Sequence, residues 1–524
     1  MSKTEQMRAN LSALELVFRL GQEGRKATTD EKEVLTGYVG FGGLSEILID
    51  PRENFLWTPA NQRLRPLVMA FHEMLEKENP GRKEEYVQSA RNSVLTGFYT
   101  PLPIIRAFSE ALREAGISPN SVLDPSAGSG RFMEVLRTAH TPAEVVMYEK
   151  DLLTGLLLSA KSTDRVRIEG FENTGGTYAN RFDLVTSNIP FGSIPVFDPY
   201  FARKGEVENQ ATSLIHNYFF LKSIELARPG GLVALITTDS FANTAGNRIF
   251  RENLLRKASL VSAVRLPHTL FQESGTEVGS DFIVVQKRNK PSSTFSPEEK
   301  LFLETTVDLY ESAIAPSNGY FDAFPERIIH TDRELSTNQY GKPALIYSHS
   351  GGSQKVGEEL AAIFANDFNQ NINRILYESK ANQVQRSKDT PAGQLSLFSQ
   401  PGNQELPPTN PVPFTGTYYN HLVEGSVVAQ EGKLGRLATD EAGTLVCQPL
   451  RLTTRQRDLW QSLLNIRESY FQLVHQERDR GQEAPVQREQ LNRSYDGFRD
   501  RFGCLKDKAN LDTVLLDPTG RQLL

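Results

Sequence analysis

Three short segments bring together residue types that can do chemistry. Asp124-Pro125-Ser126-Ala127-Gly128-Ser129-Gly130 closes an apolar run over 121–124 and opens a helical pattern. Glycines at such a turn let the backbone approach a ligand closely and swing sharply into the helix. A nicotinamide dinucleotide turn would place a third small residue at position 133, where this chain has Met133. Taken alone, the segment is also what any strand-to-helix turn looks like. Glu149 ends the next apolar run, about twenty residues on, where an acid in a doubly wound sheet can accept both ribose hydroxyls of a nucleoside cofactor. Ser187-Asn188-Ile189-Pro190-Phe191-Gly192 ends a third run, over 182–187. An asparagine oxygen accepts from an amine, and an aromatic ring stacks on an extruded base. Pro190 holds Ile189 extended, which aims its carbonyl at the same place. Asn188, Ile189, Pro190 and Phe191 are therefore the candidate catalytic group.

These segments must be held by regular elements, and the texture of the chain supplies them. Strands are expected at 121–124, 144–148, 165–169, 182–187, 231–237, 260–266 and 281–287. Helical patterns fall between most of them, at 131–139, 152–160, 217–227 and 245–257. Such alternation implies βαβ units and a doubly wound sheet. Only the last two strands lack an intervening helix, which permits an antiparallel final strand. Upstream, helices are expected at 7–20, 61–77 and 83–93, with a short one opened by the capping-box pattern Thr28-Thr29-Asp30-Glu31. Tyr38-Val39-Gly40-Phe41-Gly42-Gly43-Leu44 interrupts them as a packed turn or, less simply, a ligand contact. The organisation expected is a helical extension over 1–91, the sheet domain over 92–290 and a mixed accessory region over 291–378. A flexible linker rich in Gln, Ser, Asn and Pro follows over 379–412, then a hairpin and helical tail over 413–524. In that tail, 422–428 and 433–438 flank a turn at Gln430-Glu431-Gly432, and helices are expected at 453–478 and 486–502.

At 524 residues the chain is too long for one core. No apolar run reaches membrane-spanning length and the N-terminus lacks a signal-peptide core, so a cytoplasmic setting without membrane contact is expected. Cys447 and Cys504 are the only cysteines, which excludes a disulfide scaffold and a Cys-rich zinc site, and no metal is expected. The net charge of −6 argues against a generally basic nucleic-acid binder. A local basic face would suffice, and Arg203, Lys204, Arg248 and Arg251 are its candidates.

In that order and on those strands, the segments DPSAGSG, MYEKD and FDLVTSNIPFG resemble the motifs of the N6-adenine DNA methyltransferases. The upstream Gly97-Phe98-Tyr99-Thr100-Pro101 is similar to the family's cofactor segment, and this order is similar to the gamma class. The resemblance implies an α/β, Rossmann-like fold with a seven-stranded, mostly parallel sheet, a helical N-terminal extension and a small β-hairpin plus α-helical C-terminal region. It also implies S-adenosylmethionine (SAM) as cofactor, held by Tyr99, Thr100, Asp124, Ser126, Gly128, Gly130, Glu149 and Glu172. The implied substrate is the N6 amine of adenine in DNA. Asn188 and the Ile189 carbonyl would accept from the amine while Phe191 stacks on the base. The family's motif has proline where this chain has Ile189, which bears on loop rigidity. Cytosine C5 chemistry is disfavoured, because it needs a cysteine nucleophile and neither cysteine lies in the sheet domain. Two other readings stay open: methylation of RNA or of a protein glutamine, and a catalytically weak DNA-binding or anti-restriction module.

The flanks, through Tyr38–Leu44 and Leu491-Asn492-Arg493-Ser494-Tyr495-Asp496, resemble the N-terminal part of large methylase–helicase proteins of phages, plasmids and conjugative elements. No Walker-type motif is present, so the chain is expected either to be a fragment or to have lost the motor, with a helicase domain or subunit as a candidate partner. Gln394-Leu395-Ser396-Leu397-Phe398 resembles a bacterial sliding-clamp binding peptide, or else docks on the chain's own surface.

Overall fold

The computed structural model describes residues 2–378, apart from 79, 176–177, 193, 275–276, 311–312 and 338–342. It also describes 412–413, 422, 425–430, 433–439, 445–450, 452, 454–474, 476–477, 484–505, 507, 510, 513–514, 517, 519 and 523. Nearly all of the expected linker, with Gln394–Phe398 in it, lies outside the described residues, as do 431–432 of the expected hairpin turn. The chain divides into one unit of Met1–Glu172 with Tyr178–Thr390 and another of Asn173–Thr177 with Pro391–Leu524.

Helical apolar spacing at Met7, Leu11, Leu14 and Val17 buries one face of α1 (Lys3–Glu23), which a Ser2/Glu5 capping box starts earlier than the apolar pattern alone indicates. The expected box at Thr28 and Glu31 opens α2 (Thr29–Thr36). Helices α3 (Arg65–Glu78) and α4 (Lys83–Thr96) complete the extension. The Tyr38–Leu44 turn is structural, and α1 holds it. Asn10 Nδ2 donates to the Gly40 carbonyl at 2.6 Å while Asn10 Oδ1 accepts from the Val39 N–H at 3.0 Å. Gln6 Nε2 donates to the carbonyls of Gly40 and Gly42, each at 3.1 Å. The glycines are there because the turn lies against the next segment of the site. A Cβ on Gly42 would stand 2.5 Å from the Gly97 carbonyl oxygen, and one on Gly40 would stand 3.0 Å from the Tyr99 ring.

Continuous apolar runs mark strands buried on both faces. Seven of them form one sheet: β1 (Ser121–Asp124), β2 (Glu144–Tyr148), β3 (Arg165–Arg167), β4 (Phe182–Asn188), β5 (Ala227–Thr238), β6 (Ala258–Leu266) and β7 (Ser280–Lys287). Their order is β3-β2-β1-β4-β5-β7-β6. All neighbouring pairs are parallel except those of β7, which runs antiparallel between β5 and β6. The connection between β6 and β7 carries a 3-10 turn at His268–Ser274 and no α-helix among its described residues, and β7 returns beside β6 in the opposite sense.

On one face pack α5 (Leu102–Glu114), α6 (Arg131–Ala139) and the Gly352–Asn371 helix. Phe108 of α5, Phe282 of β7 and Phe364 of the last helix meet with ring centroids 5.1–6.1 Å apart. The helix α7 (Leu152–Lys161) packs on the N-terminal helices through Leu153 and Leu157. The Ile215–Leu226 and Arg248–Lys257 helices cover the other face. Residues 305–318 and 332–348 add two antiparallel hairpins. The second unit carries an antiparallel sheet that joins Val427–Gln430 and Lys433–Thr439 to Leu445–Pro449 and Val412–Pro413, more than the single hairpin expected. Its Thr454–Val474 and Pro485–Phe502 helices bury Trp460, Leu463 and Phe498. No helix among the described residues is long and apolar enough to cross a membrane.

Gly42→Ala should destabilise the chain by ~1–3 kcal/mol through overpacking against the Gly97 backbone. Gly21→Ala, where an added Cβ meets nothing within 4 Å, should stabilise α1 by roughly 0.5–1 kcal/mol. Calorimetric melting of the two variants checks the pair, and an unchanged Gly42→Ala would contradict the close packing.

Candidate active site

Because β1, β2 and β4 are parallel, their carboxyl ends reach the same edge of the sheet. They deliver Asp124, Glu149 and Asn188 there. Strand order reverses between β1 and β4, the place where open α/β sheets leave a ligand crevice.

Asp124 is fully buried. Its Oδ1 accepts from Ser187 Oγ at 2.7 Å and from the Ser126 N–H at 3.2 Å, while Oδ2 meets no donor. Burial lifts this carboxyl to about 7 despite those two bonds. Glu149 accepts from the Gly128 N–H through Oε2 and from the Asp151 N–H through Oε1, each at 2.7 Å. Burial, and then the neighbouring Asp151, raise it to about 8. Gly128 has φ +55°, and a Cβ there would stand 2.7 Å from Tyr99 Cε1, so the ring lies directly on the glycine turn. The Arg131 guanidinium covers Tyr99 at 5.3 Å from its centroid. Burial, then Glu149, raise the Tyr99 phenol above its ordinary range. Gly130 has a different reason to be glycine. Its φ is +86°, and a Cβ would stand 2.6 Å from Leu158 Cδ1, so it serves the turn into α6 and packing on α7. Thr100 is buried with Oγ1 unpartnered. The Ser126 carbonyl lies 3.0 Å from Ser187 Oγ.

Asn188 is fixed by its amide nitrogen. Nδ2 donates to the Phe98 carbonyl at 3.1 Å, and of the two ends of the amide only the nitrogen can donate to a carbonyl, which sets the orientation of the amide. Oδ1 is left buried without a partner. An unpaired buried acceptor costs about 1–3 kcal/mol, so this oxygen is suited to a donor brought from outside. Ile189 settles the question of rigidity raised by its sequence. Its N–H, which proline would lack, donates to the Ile236 carbonyl at 3.0 Å and extends the β4–β5 ladder. Its side chain is 1% exposed in the core layer that holds Phe171 and Phe201. Pro190 and Phe191 are half-buried, and Phe191 meets the buried Phe271 edge-on at 5.6 Å and 78°. Glu172 accepts from Lys150 Nζ at 2.8 Å. Burial works against its charge, but Lys150 and then Lys222 hold it below the ordinary carboxylate range.

Tyr99, Gly128, Asp124 and Glu149 thus form one linked group, and Asn188 joins it through Phe98 and Ser187. Glu172 stands apart in its ion pair. The basic candidates separate further. Arg251 is fully buried and donates to the carbonyls of Phe241, Thr244 and Leu303 at 2.7, 3.1 and 3.1 Å, so it is a core guanidinium and lines no cleft. Arg248 reaches the same Leu303 carbonyl at 3.2 Å, and Lys204 pairs with Glu225. Sequence reasoning quoted Phe98, Ser187 and Asp151 within the motifs without giving them a role, and passed over Phe271. Ser187 sits beside Asn188 and was open to notice; the Phe98 contribution is a backbone carbonyl, which has no residue signature.

The sheet order and the crevice define a Rossmann-like methyltransferase fold. Residues 85–383 match the model of the N-6 DNA Methylase family, over half of the chain, and the chain belongs to that family. It is 25% identical over 333 residues to the "Defense against restriction protein B" of Escherichia phage P1, covering 62% of this chain and 12% of that protein. It is 27% identical over 197 residues to the type II methyltransferase M.XamI of Xanthomonas campestris pv. amaranthicola, covering 34% of this chain and 36% of that one. The chain therefore spans only a minor part of either relative. The M protein of the type I restriction enzyme EcoKI aligns at 14% identity with a TM-score of 0.31, over 75% of this chain and 99% of that one. That likeness is too slight to bear weight beside the strand order itself.

Asp124 holds its proton more tightly folded than unfolded. Between the ordinary carboxylate range and about pH 7 the folded chain carries more protons, and stability falls as pH rises. Asp124→Asn keeps an Oδ1 acceptor for Ser187 and Ser126 but cannot ionise. Its melting temperature relative to wild type should improve from pH 5 to about pH 7 and level off above that. A constant or opposite difference would contradict the buried, unpaired carboxyl.

Proposed function

We propose that this chain transfers a methyl group from SAM to the N6 amine of adenine in DNA. The observation that carries the reading is the Asn188 amide, anchored through Nδ2 to Phe98 with Oδ1 buried and unpaired. SAM fits the neighbouring group on this chain's own chemistry. Asp124 Oδ2 and Thr100 Oγ1 are buried without partners, and the Gly128 turn beneath Tyr99 leaves no room for a Cβ. Tyr99, Thr100, Asp124, Ser126, Gly128, Gly130 and Glu149 would hold it, with Glu172 and its Lys150 partner at the margin. When bound, SAM supplies an electrophilic methyl on a sulfonium.

The remaining work belongs to the chain. The adenine amine is a weak nucleophile because its lone pair is delocalised into the ring. Hydrogen bonds to Asn188 Oδ1 and the Ile189 carbonyl would localise that pair, and their preorganisation favours the transition state. Phe191, braced by Phe271, would stack on the extruded base and fix its plane. The amine releases one proton to solvent after transfer. Such a mark would protect DNA from restriction, in keeping with the name of the phage P1 relative.

The test is transfer of labelled methyl from SAM to unmethylated genomic DNA, followed by nucleoside analysis. The label should appear in N6-methyladenine. Asn188→Ala should cut transfer at least about a hundredfold, ~3 kcal/mol, with SAM affinity by calorimetry nearly unchanged. Label on RNA or on protein glutamine instead of DNA would overturn the substrate, and full activity in Asn188→Ala would overturn the mechanism.

The same proposal includes a helicase region or subunit as partner, and a sliding clamp bound through Gln394–Phe398. In a fluorescence titration, purified bacterial clamp should bind wild type and lose most of that affinity for the Leu397→Ala, Phe398→Ala double variant. Equal binding by both, or by neither, would remove the clamp.

A further inference from the structure

An edge-on contact orients the Phe191 ring only if its partner, Phe271, is itself held. Phe271 is fully buried and belongs to the His268–Ser274 turn that follows β6. His268, buried at the start of that turn, meets the rest of the chain through both ring nitrogens. Its Nδ1 accepts from the Tyr347 N–H at 3.1 Å, which leaves the ring proton on Nε2. Burial, and then Arg265, push the imidazole down to about 4, so it stays neutral and keeps that acceptor. Nε2 lies against Gly279, which leads into β7. A Cβ there would stand 2.7 Å from Nε2 and 2.7 Å from Asp239 Oδ2. The next residue of the turn adds a tie, because Thr269 Oγ1 accepts from the His349 N–H at 3.2 Å.

These contacts sit at the edge of the sheet that carries Asn188. Asp239 directly follows β5, and its N–H donates to the Gly279 carbonyl at 2.9 Å. Three residues earlier, the Ile236 carbonyl takes the Ile189 N–H at 3.0 Å. Tyr347 comes from the strand Pro343–Ser348, in the accessory hairpin. The chain entering that hairpin is fixed to the end of β6, where the Ile329 N–H donates to the Arg265 carbonyl at 3.0 Å. We infer that His268 is a positioning residue for base stacking: through it the accessory hairpin sets Phe271, and Phe271 sets Phe191. This role rests on the DNA methylation reading above, since Phe191 is there to stack on the target adenine.

A double-mutant cycle separates this role from a merely structural one, because two residues that act through one another do not add. Steady-state transfer from SAM to unmethylated genomic DNA is measured with the full chain, alongside SAM affinity by calorimetry. His268→Leu removes the acceptor and should raise KM for DNA about tenfold, with kcat and SAM affinity nearly unchanged. His268→Asn, whose Oδ1 can take the place of Nδ1, should restore a KM close to that of wild type. In a Phe191→Ala background, His268→Leu should change KM by less than about twofold. Thr269→Val removes only a hydroxyl from a half-buried side chain, and carries the test should His268→Leu fail to fold. It should raise KM about threefold, and that effect too should vanish in the Phe191→Ala background. A KM unmoved by these substitutions, an equal rise in both backgrounds, or an asparagine variant as impaired as the leucine one overturns the positioning role and leaves the methyltransferase reading standing. A wild type that transfers no methyl to DNA overturns both.

Discussion

The bond from the Asn188 amide nitrogen to the Phe98 carbonyl is the constraint on which the rest of the structure depends. An unanchored asparagine can present either end of its amide. With Nδ2 committed to a carbonyl, this one presents only an oxygen, and does so from the carboxyl end of a central strand. The bond has value only if Phe98 is itself immobile. Phe98 belongs to the 97–100 segment, wedged between the Gly40–Gly43 turn on one side and the Gly128 turn on the other. That first turn is in turn held by Asn10 and Gln6 of α1. The N-terminal helices are therefore part of the site's support, and removal of a Cβ at Gly40, Gly42 and Gly128 is what allows the three backbone segments to close on one another.

Burial governs the electrostatics of the same region. Asp124 and Glu149 are buried and Asp151 is half-buried beside them, and desolvation raises each carboxyl above its ordinary value. Backbone N–H groups and the Ser187 hydroxyl offset part of that penalty but leave Asp124 Oδ2 without a donor. A crevice of underused acceptors is poorly suited to an anion. It is well suited to a ligand with hydroxyls and positive charge, which is how the proposed cofactor differs from a dinucleotide. Ile189 illustrates how one departure from a family pattern can be neutral. The stiffness that proline supplies through its ring comes here from a hydrogen bond that proline could not make.

Much of this was legible in the sequence because it is written in local pattern. Buried strands show as continuous apolar runs, and six of the seven begin and end within two residues of their expected bounds, while β5 begins at Ala227 rather than at 231. The capping box at Thr28 announced the start of α2 in residue types alone, whereas the Ser2/Glu5 box that opens α1 was not read. Two long helices were not read. No element was assigned to the α5 stretch, where prolines stand at 101 and 103, although Ile104, Ile105, Phe108 and Leu112 keep helical spacing. The Gly352–Asn371 helix hides its apolar stripe among Asn, Gln and a buried Asp367 that bonds Ser262 and Arg327. Arg251 was taken for a surface charge because the carbonyls that bury it come from distant residues. The Asn188 anchor was invisible for the same reason: its partner is a peptide carbonyl ninety positions away in the chain.

The central claim is that Asn188 offers its buried oxygen to an adenine amine while its nitrogen stays on Phe98. A crystal structure of the chain with S-adenosylhomocysteine and 9-methyladenine tests this directly, without knowledge of a target sequence. The account predicts the exocyclic amine within hydrogen-bonding distance of Asn188 Oδ1, the ring against Phe191, and the Nδ2 bond to Phe98 intact. An adenine bound elsewhere, or an Asn188 amide turned so that Nδ2 faces the ligand, would contradict it.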